Sequence, residues 1–165
     1  MKRILNLILL IFISTCSFGQ DEKHILDYIK MTETDSLYLI AIEKYTNELD
    51  ALYTKNPDEE NDKIIYIQYE SYLQLIPSEI NGYEIQKLGL ANRKKHFKAN
   101  KNKLYLVEIS TLRIENGRFS ITLIPYFSEL KRRKKLHLSL SGWTNVFFEY
   151  INGKLIYEKT ENGGI

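Results

Sequence analysis

Hydrophobic and polar positions change period near the middle of the chain. Between residues 36 and 54, Tyr38, Ile42, Tyr45, Leu49 and Leu52 recur at the three-and-four spacing of one helical face, behind the cap-forming run Thr34-Asp35-Ser36. This predicts a helix over 36–54. A shorter helix is predicted over 21–31, where Ile25, Tyr28 and Ile29 share one side. Asn56-Pro57 and the acidic run 58–62 end the helical pattern, because proline has no amide donor and like charges repel along a helix. Residues 63–76 fit two readings. The stretch 63–69 is rich in β-branched and aromatic residues, yet Ile64, Ile65, Tyr69 and Tyr72 also lie on one helical face.

From residue 83 onward the pattern is that of strands, predicted over 83–90, 103–115, 118–128, 135–141, 145–151 and 154–160. Asn116-Gly117 and Asn152-Gly153 each separate β-prone runs, and both central positions of a type I′ turn need the positive φ that Asn and Gly tolerate. Around the first turn Glu115 faces Arg118, Ile114 faces Phe119, Arg113 faces Ser120 and Leu112 faces Ile121, which separates an apolar face from a charged one. The same register carried further puts Ile109 opposite Ile124 and Val107 opposite Tyr126 on the charged face. That end of the sheet is then apolar on both faces and needs a cover or a curl. The second turn pairs Tyr150 with Leu155 and Phe148 with Tyr157. Leu136, Leu138 and Leu140 alternate with Lys135, His137 and Ser139, Pro125 marks a bulge or bend, and a short connection over 142–144 carries Trp143.

This order needs no parallel crossover. The predicted fold class is α+β: N-terminal helices packed on a curved, mainly antiparallel sheet whose concave face receives the helix over 36–54. The order of elements resembles the cystatin-like and nuclear-transport-factor-like architectures, without a sequence motif of either.

Ahead of these elements, residues 1–19 read as a signal peptide. Lys2 and Arg3 are positive, 4–13 is apolar except for Asn6, and Ser17-Phe18-Gly19 precedes a cut before Gln20. The apolar run of about ten residues is half the ~20 that span a bilayer, so no transmembrane helix is expected in the mature chain. A secondary reading makes Ile13-Ser14-Thr15-Cys16 a lipoprotein signal, although Thr15 is bulkier than the residue that usually precedes a lipidated cysteine. Either way the chain is expected to be exported, to the periplasm or beyond, as a single domain over 20–165. Cys16 is the one cysteine, so the mature domain carries no thiol for catalysis, metal binding or disulfides.

At 44% hydrophobic and 27% charged residues the chain is composed to build a core. Its charge is strongly divided. Residues 21–82 hold 14 acidic and 5 basic side chains, and 83–165 hold 7 acidic and 16 basic, a net of nine negative against nine positive. Arg93, Lys94, Lys95, Lys98, Lys101 and Lys103 form one basic cluster, and Lys131, Arg132, Arg133, Lys134 and Lys135 form another. In an up-and-down sheet the two connections would meet at one rim, with His96 beside them. Such a rim is a candidate surface for an anionic envelope component or an acidic protein; its structural alternative is a solvated set of charges that offsets the acidic half. Trp143 is a candidate aromatic contact. Nucleic acid is not an expected partner, since the acidic half repels phosphates.

Catalytic motifs are absent: no phosphate-binding glycine loop, no His-Glu-x-x-His, no nucleophile elbow. His24, His96 and His137 are scattered. Asp58, Glu60 and Asp62 have the one-three-five spacing of a calcium loop, but Lys63 replaces its glycine and Tyr69 its bidentate glutamate. Glu108 and Glu149 lie in strands without an acidic neighbour in register. No catalytic residue, metal or cofactor is therefore assigned. The chain reads as an exported binding or interaction domain, with an exported hydrolase or small-ligand protein, its pocket between helix and sheet, as the alternative.

Overall fold

The helix that opens the described part of the chain starts on a reciprocal cap. A computed structural model describes residues 31–55, 62–115, 117–131 and 135–164. The leader over 1–19, the helix over 21–31 but for its last residue, and Asn116, Arg132, Arg133 and Lys134 lie outside the described residues. Residues Thr32–Ile165 pack as one unit. Helix α1 (Glu33–Lys55) follows Thr32, whose Oγ1 accepts from the Asp35 amide at 3.2 Å while its own amide donates to Asp35 Oδ2 at 2.7 Å. Asp35 is thus the return partner of the cap and not the cap itself, which starts the helix earlier than predicted.

The remaining elements are β1 (Ile64–Gln68), a 3-10 turn at Ser71–Leu73, β2 (Glu79–Ile80), β3 (Tyr83–Leu88), α2 (Arg93–Ala99), β4 (Lys103–Ile109), β5 (Arg113–Glu115), β6 (Arg118–Leu130), β7 (Leu136–Leu140), β8 (Gly142–Ile151) and β9 (Lys154–Gly164). The ambiguous stretch 63–76 is therefore a strand followed by one tight turn. Period two prevails because β1 is an inner strand, with Ile65 and Ile67 buried on one face and Tyr66 on the other.

The nine strands form one open mixed sheet in the order β2-β3-β1-β4-β6-β8-β9, with β5 and β7 also paired to β6. This corrects the expectation that no parallel crossover is needed: β1 runs parallel to both β3 and β4. The chain leaves β3, passes over β1 through α2 and returns as β4. A parallel crossover is usually made by a helix, and the Arg-Lys-Lys-His-Phe-Lys-Ala sequence of α2 contains no residue that prevents one.

Beyond β4 the sheet is antiparallel. The strand predicted over 103–115 is broken at 110–112, where the Ser110 amide donates to Thr122 O at 2.8 Å, the Thr122 amide donates to Ser110 Oγ at 2.9 Å, and the Leu112 amide donates to the Tyr38 hydroxyl at 3.1 Å. Arg113 still faces Ser120, but Ile109 faces Leu123 and Val107 faces Pro125. The one-residue offset turns Val107 and Ile109 onto the face of Ile121 and Leu123, which removes the clash of faces in the uninterrupted register.

A second correction concerns 135–151. β7 and β8 are not joined by a connection over 142–144; only Ser141 separates them, and both run along the same edge of β6. The irregularity between them sits opposite Pro125, whose carbonyl accepts both the Ser141 amide (3.2 Å) and the Ser141 hydroxyl (2.7 Å). The second hairpin pairs Tyr150 with Leu155 and Phe148 with Tyr157, around Asn152 and Gly153 at positive φ.

Two apolar clusters lie on opposite faces of the sheet. Leu37, Tyr38, Ala41, Ile42 and Tyr45 of α1 pack with Ile65, Ile67, Val107, Ile109, Ile121, Leu123, Val146 and Phe148. On the other face Phe97 of α2 packs with Leu88, Leu104 and Leu106, flanked by Tyr66, Leu130 and Leu136. Alternation along β1 and β4 requires this opposition, since 65, 67, 107 and 109 point one way and 66, 104 and 106 the other.

Candidate functional site

Helix α2 is anchored at both ends by asparagine. Asn92 Oδ1 accepts from the Gly89 amide at 2.9 Å and its Nδ2 donates to Lys87 O at 2.9 Å, while Asn100 Nδ2 donates to His96 O and to the Tyr66 hydroxyl. Phe97 is fully buried against the sheet and His96 meets the Tyr66 ring edge-on at 5.9 Å. Lys94, Lys95 and Lys98 are exposed on the outer face, and Arg93 is half-buried.

The second basic stretch approaches the end of this helix. The Leu130 amide donates to Asn102 O at 2.9 Å, and the Lys131 amide donates to Lys135 O at 2.9 Å, closing the turn between β6 and β7. Leu130 and Leu136, on either side of that turn, pack against the cluster that holds Phe97. Lys131 and Lys135 therefore lie beside the C-terminal end of α2 with Lys101 and Lys103. The cause is the helical crossover, not the up-and-down strand order predicted from the sequence.

Compensation of these charges is sparse. Lys131 pairs with Glu129 at 3.6 Å, whereas Arg93, Lys94, Lys95, Lys98, Lys101, Lys103 and Lys135 make no ion pair with a described residue. Helix α1, which carries Glu33, Asp35, Glu43, Glu48 and Asp50, covers the opposite face. Among the described residues, α1 with these carboxylates and α2 with its lysines therefore lie on opposite faces of the sheet.

Trp143 lies within β8 and not in a connection, with 37% of its surface exposed. Its indole covers Gly163 of β9, where an added Cβ would come within 2.4 Å of the ring. The residue is a sheet-surface aromatic that depends on a glycine partner across the strands.

The other chemistry-bearing residues do not converge. His96 is on the α2 face, and His137 pairs across the ladder with Glu129 on the opposite one. His24, Asp58 and Glu60 lie outside the described residues. Glu108 is half-buried in β4 and Glu149 exposed in β8. Among the described residues no three His, Cys, Asp or Glu side chains are grouped to hold a metal.

Between α1 and the sheet, where an aromatic pocket was a sequence-based alternative, Ala41, Ile42, Ile121, Leu123 and Val146 retain no exposed surface. Two open depressions lie elsewhere. One, of about 440 Å3, is bordered by Lys63, Ser78, Glu79 and Glu84 near the start of β1. The other, of about 420 Å3, lies across β5, β6 and β8 and includes Arg113, Arg118 and Asn145. The predicted hairpin register already put Arg113 and Arg118 on one charged face; their convergence with Asn145 required the β6–β8 pairing. No family model, curated protein or solved structure matches the chain.

Proposed function

We propose that the protein is a small exported binding domain of a bacterial cell envelope that contacts an anionic partner through the basic surface of α2 and the β6–β7 turn. One observation carries the reading: Lys94, Lys95 and Lys98 project from α2 without ion-pair partners among the described residues, and the acidic helix lies across the sheet from them. A lysine set that served to neutralise α1 would share its face. Opposed charge gives the molecule a preferred orientation toward a negative surface and speeds encounter with it.

The test is co-sedimentation with phosphatidylglycerol vesicles, phosphatidylcholine vesicles serving as the neutral control. Binding to the anionic vesicles is expected to weaken steeply between low salt and 0.15 M, where the screening length is about 8 Å. Replacing Lys94, Lys95 and Lys98 together by glutamine should remove most of it with little change in stability, because exposed charges contribute little to folding. Equal binding to both vesicle types, or no loss in the triple variant, would overturn the proposal.

A further inference from the structure

The depression across β5, β6 and β8 is built by the ladder itself. Arg113 faces Ser120, Glu115 faces Arg118, Ser120 faces Phe147 and Thr122 faces Asn145, so all these side chains share the sheet face opposite α1. No α2 residue borders it, and it stands apart from the lysine surface proposed above.

Its donors have no hydrogen-bond or ion-pair partner among the described residues. Neither Arg113 nor Arg118 makes an ion pair with a described residue, although Glu115 is the cross-strand neighbour of Arg118. Thr122 Oγ1 donates to Asn145 Oδ1 at 2.6 Å, which orients that amide and leaves Nδ2 with two N–H groups and no partner among the described residues. The Ser120 hydroxyl is likewise unpartnered among them. Phe147 closes the β9 side beneath Lys159, whose Nζ lies 5.3 Å from the ring centroid while it pairs with Glu161 at 2.6 Å, so the ring is not an open stacking platform.

These groups define a ligand. Two guanidinium forks match a carboxylate in planar, bidentate geometry. With Glu115 counted, the bordering charge is a single positive one, which suits a monoanion better than a dianionic phosphate. Ser120, Asn145 and Glu115 supply donors and an acceptor for hydroxyl groups, and the polar lining offers little to an apolar molecule. We infer that this groove binds a hydroxylated carboxylate of sugar-acid size, its carboxylate held between Arg113 and Arg118 and its hydroxyls on Ser120, Asn145 and Glu115.

The probe is sodium glucuronate, titrated into the 15N-labelled full chain, with glucose and inorganic phosphate in parallel. Saturable shifts of the Ser120, Thr122, Asn145 and Phe147 amides are expected with a dissociation constant of about 1 mM, the range open to a ligand of this size. R113Q and R118Q should each weaken glucuronate about tenfold, as loss of a charge-assisted bond does, with unchanged spectra elsewhere. E115Q should raise affinity for phosphate relative to glucuronate by relieving its repulsion. The triple glutamine variant of α2 should bind glucuronate as the wild type does, so failure of the lysine surface leaves this site standing. Matching responses to glucose and glucuronate, phosphate binding tighter than glucuronate, shifts confined to α2, or no saturable shift in tens of millimolar would each overturn the inference.

Discussion

The Tyr83 hydroxyl at the start of β3 donates to Asp50 Oδ1 on α1 at 2.7 Å, and Lys63 Nζ, just ahead of β1, reaches the same oxygen. Three elements are thereby tied at one carboxylate, with Lys63 also 4.3 Å from the Tyr83 ring centroid. The Lys63 bond, and after it the Tyr83 bond, hold the Asp50 carboxyl below its ordinary value of 3.8. A carboxyl depressed in the folded state stabilises the protein above its unfolded pKa, and that stability is lost as the pH falls through the folded value. Asp50→Asn should therefore be less stable than the wild type at neutral pH, and the gap should close as the pH drops below 3.8. Urea midpoints measured across the acid range check this; a constant gap would mean that the ionised form is not what holds the elements together.

Beneath α1 the packing is closed to solvent. Ile42 has no exposed surface and lies in the cluster with Ile121, Leu123 and Val146. Ile42→Ala should cost about 2–5 kcal/mol, from lost transfer energy and the cavity left behind, and Ala41→Leu about 1–3 kcal/mol through overpacking. Denaturant unfolding measures both. Costs under about 0.5 kcal/mol, the range of featureless surface sites, would place α1 elsewhere.

Trp143 is the sole tryptophan, so its fluorescence reports on its contact with Gly163 without interference. An alanine Cβ at 163 would lie 2.4 Å from Cζ2 and must displace the indole, whereas a Cβ at 164 would meet nothing closer than Ser141 O at 3.8 Å. Gly163→Ala should shift the emission to longer wavelength as the ring moves into water, and Gly164→Ala should not. Identical spectra for the two variants would remove the stacking from the account.

Local turn chemistry explains what the sequence makes legible. Gly117, Asn152 and Gly153 have the positive φ that their Asn-Gly turns demand, and the pairings nearest those turns follow. The same dipeptide at Asn81-Gly82 turns β2 into β3, but β2 has two residues and no periodicity to announce it. Asn81 matters at longer range: its Nδ2 donates to Thr46 Oγ1 of α1 at 2.9 Å, a contact that no local pattern encodes. The parallel placement of β1 between β3 and β4 is equally non-local, and the offset beyond Ser110 depends on a hydroxyl taking a ladder position. For the candidate surface, the basic residues are plain in the sequence. Their seating opposite the acidic helix depends on Phe97, the single buried residue in a seven-residue helix too short to show a periodic face.

That dependence supplies the last prediction. Phe97 is the one buried residue of α2, and its cluster is smaller than the one under α1 and separated from it by the sheet. Elements with few buried contacts open at lower free energy than the global unfolding reaction. Native-state hydrogen exchange should therefore show the Asn100 amide, bonded to His96 O and Phe97 O, exchanging well before the amides of α1 around Ile42. Phe97→Ala should widen that difference. Removing a fully buried phenylalanine costs about 3–5 kcal/mol when the whole core feels it, but here the loss falls first on the docking of α2, so α1 should keep most of its protection. The lysines of the freed segment would retain their charge and lose their fixed array. Anionic-vesicle binding that survives Phe97→Ala at low salt but weakens more steeply than wild type as salt rises would show that the helix presents its charges as an ordered surface. Parallel loss of protection in α1 and α2 would show instead that the two clusters unfold as one.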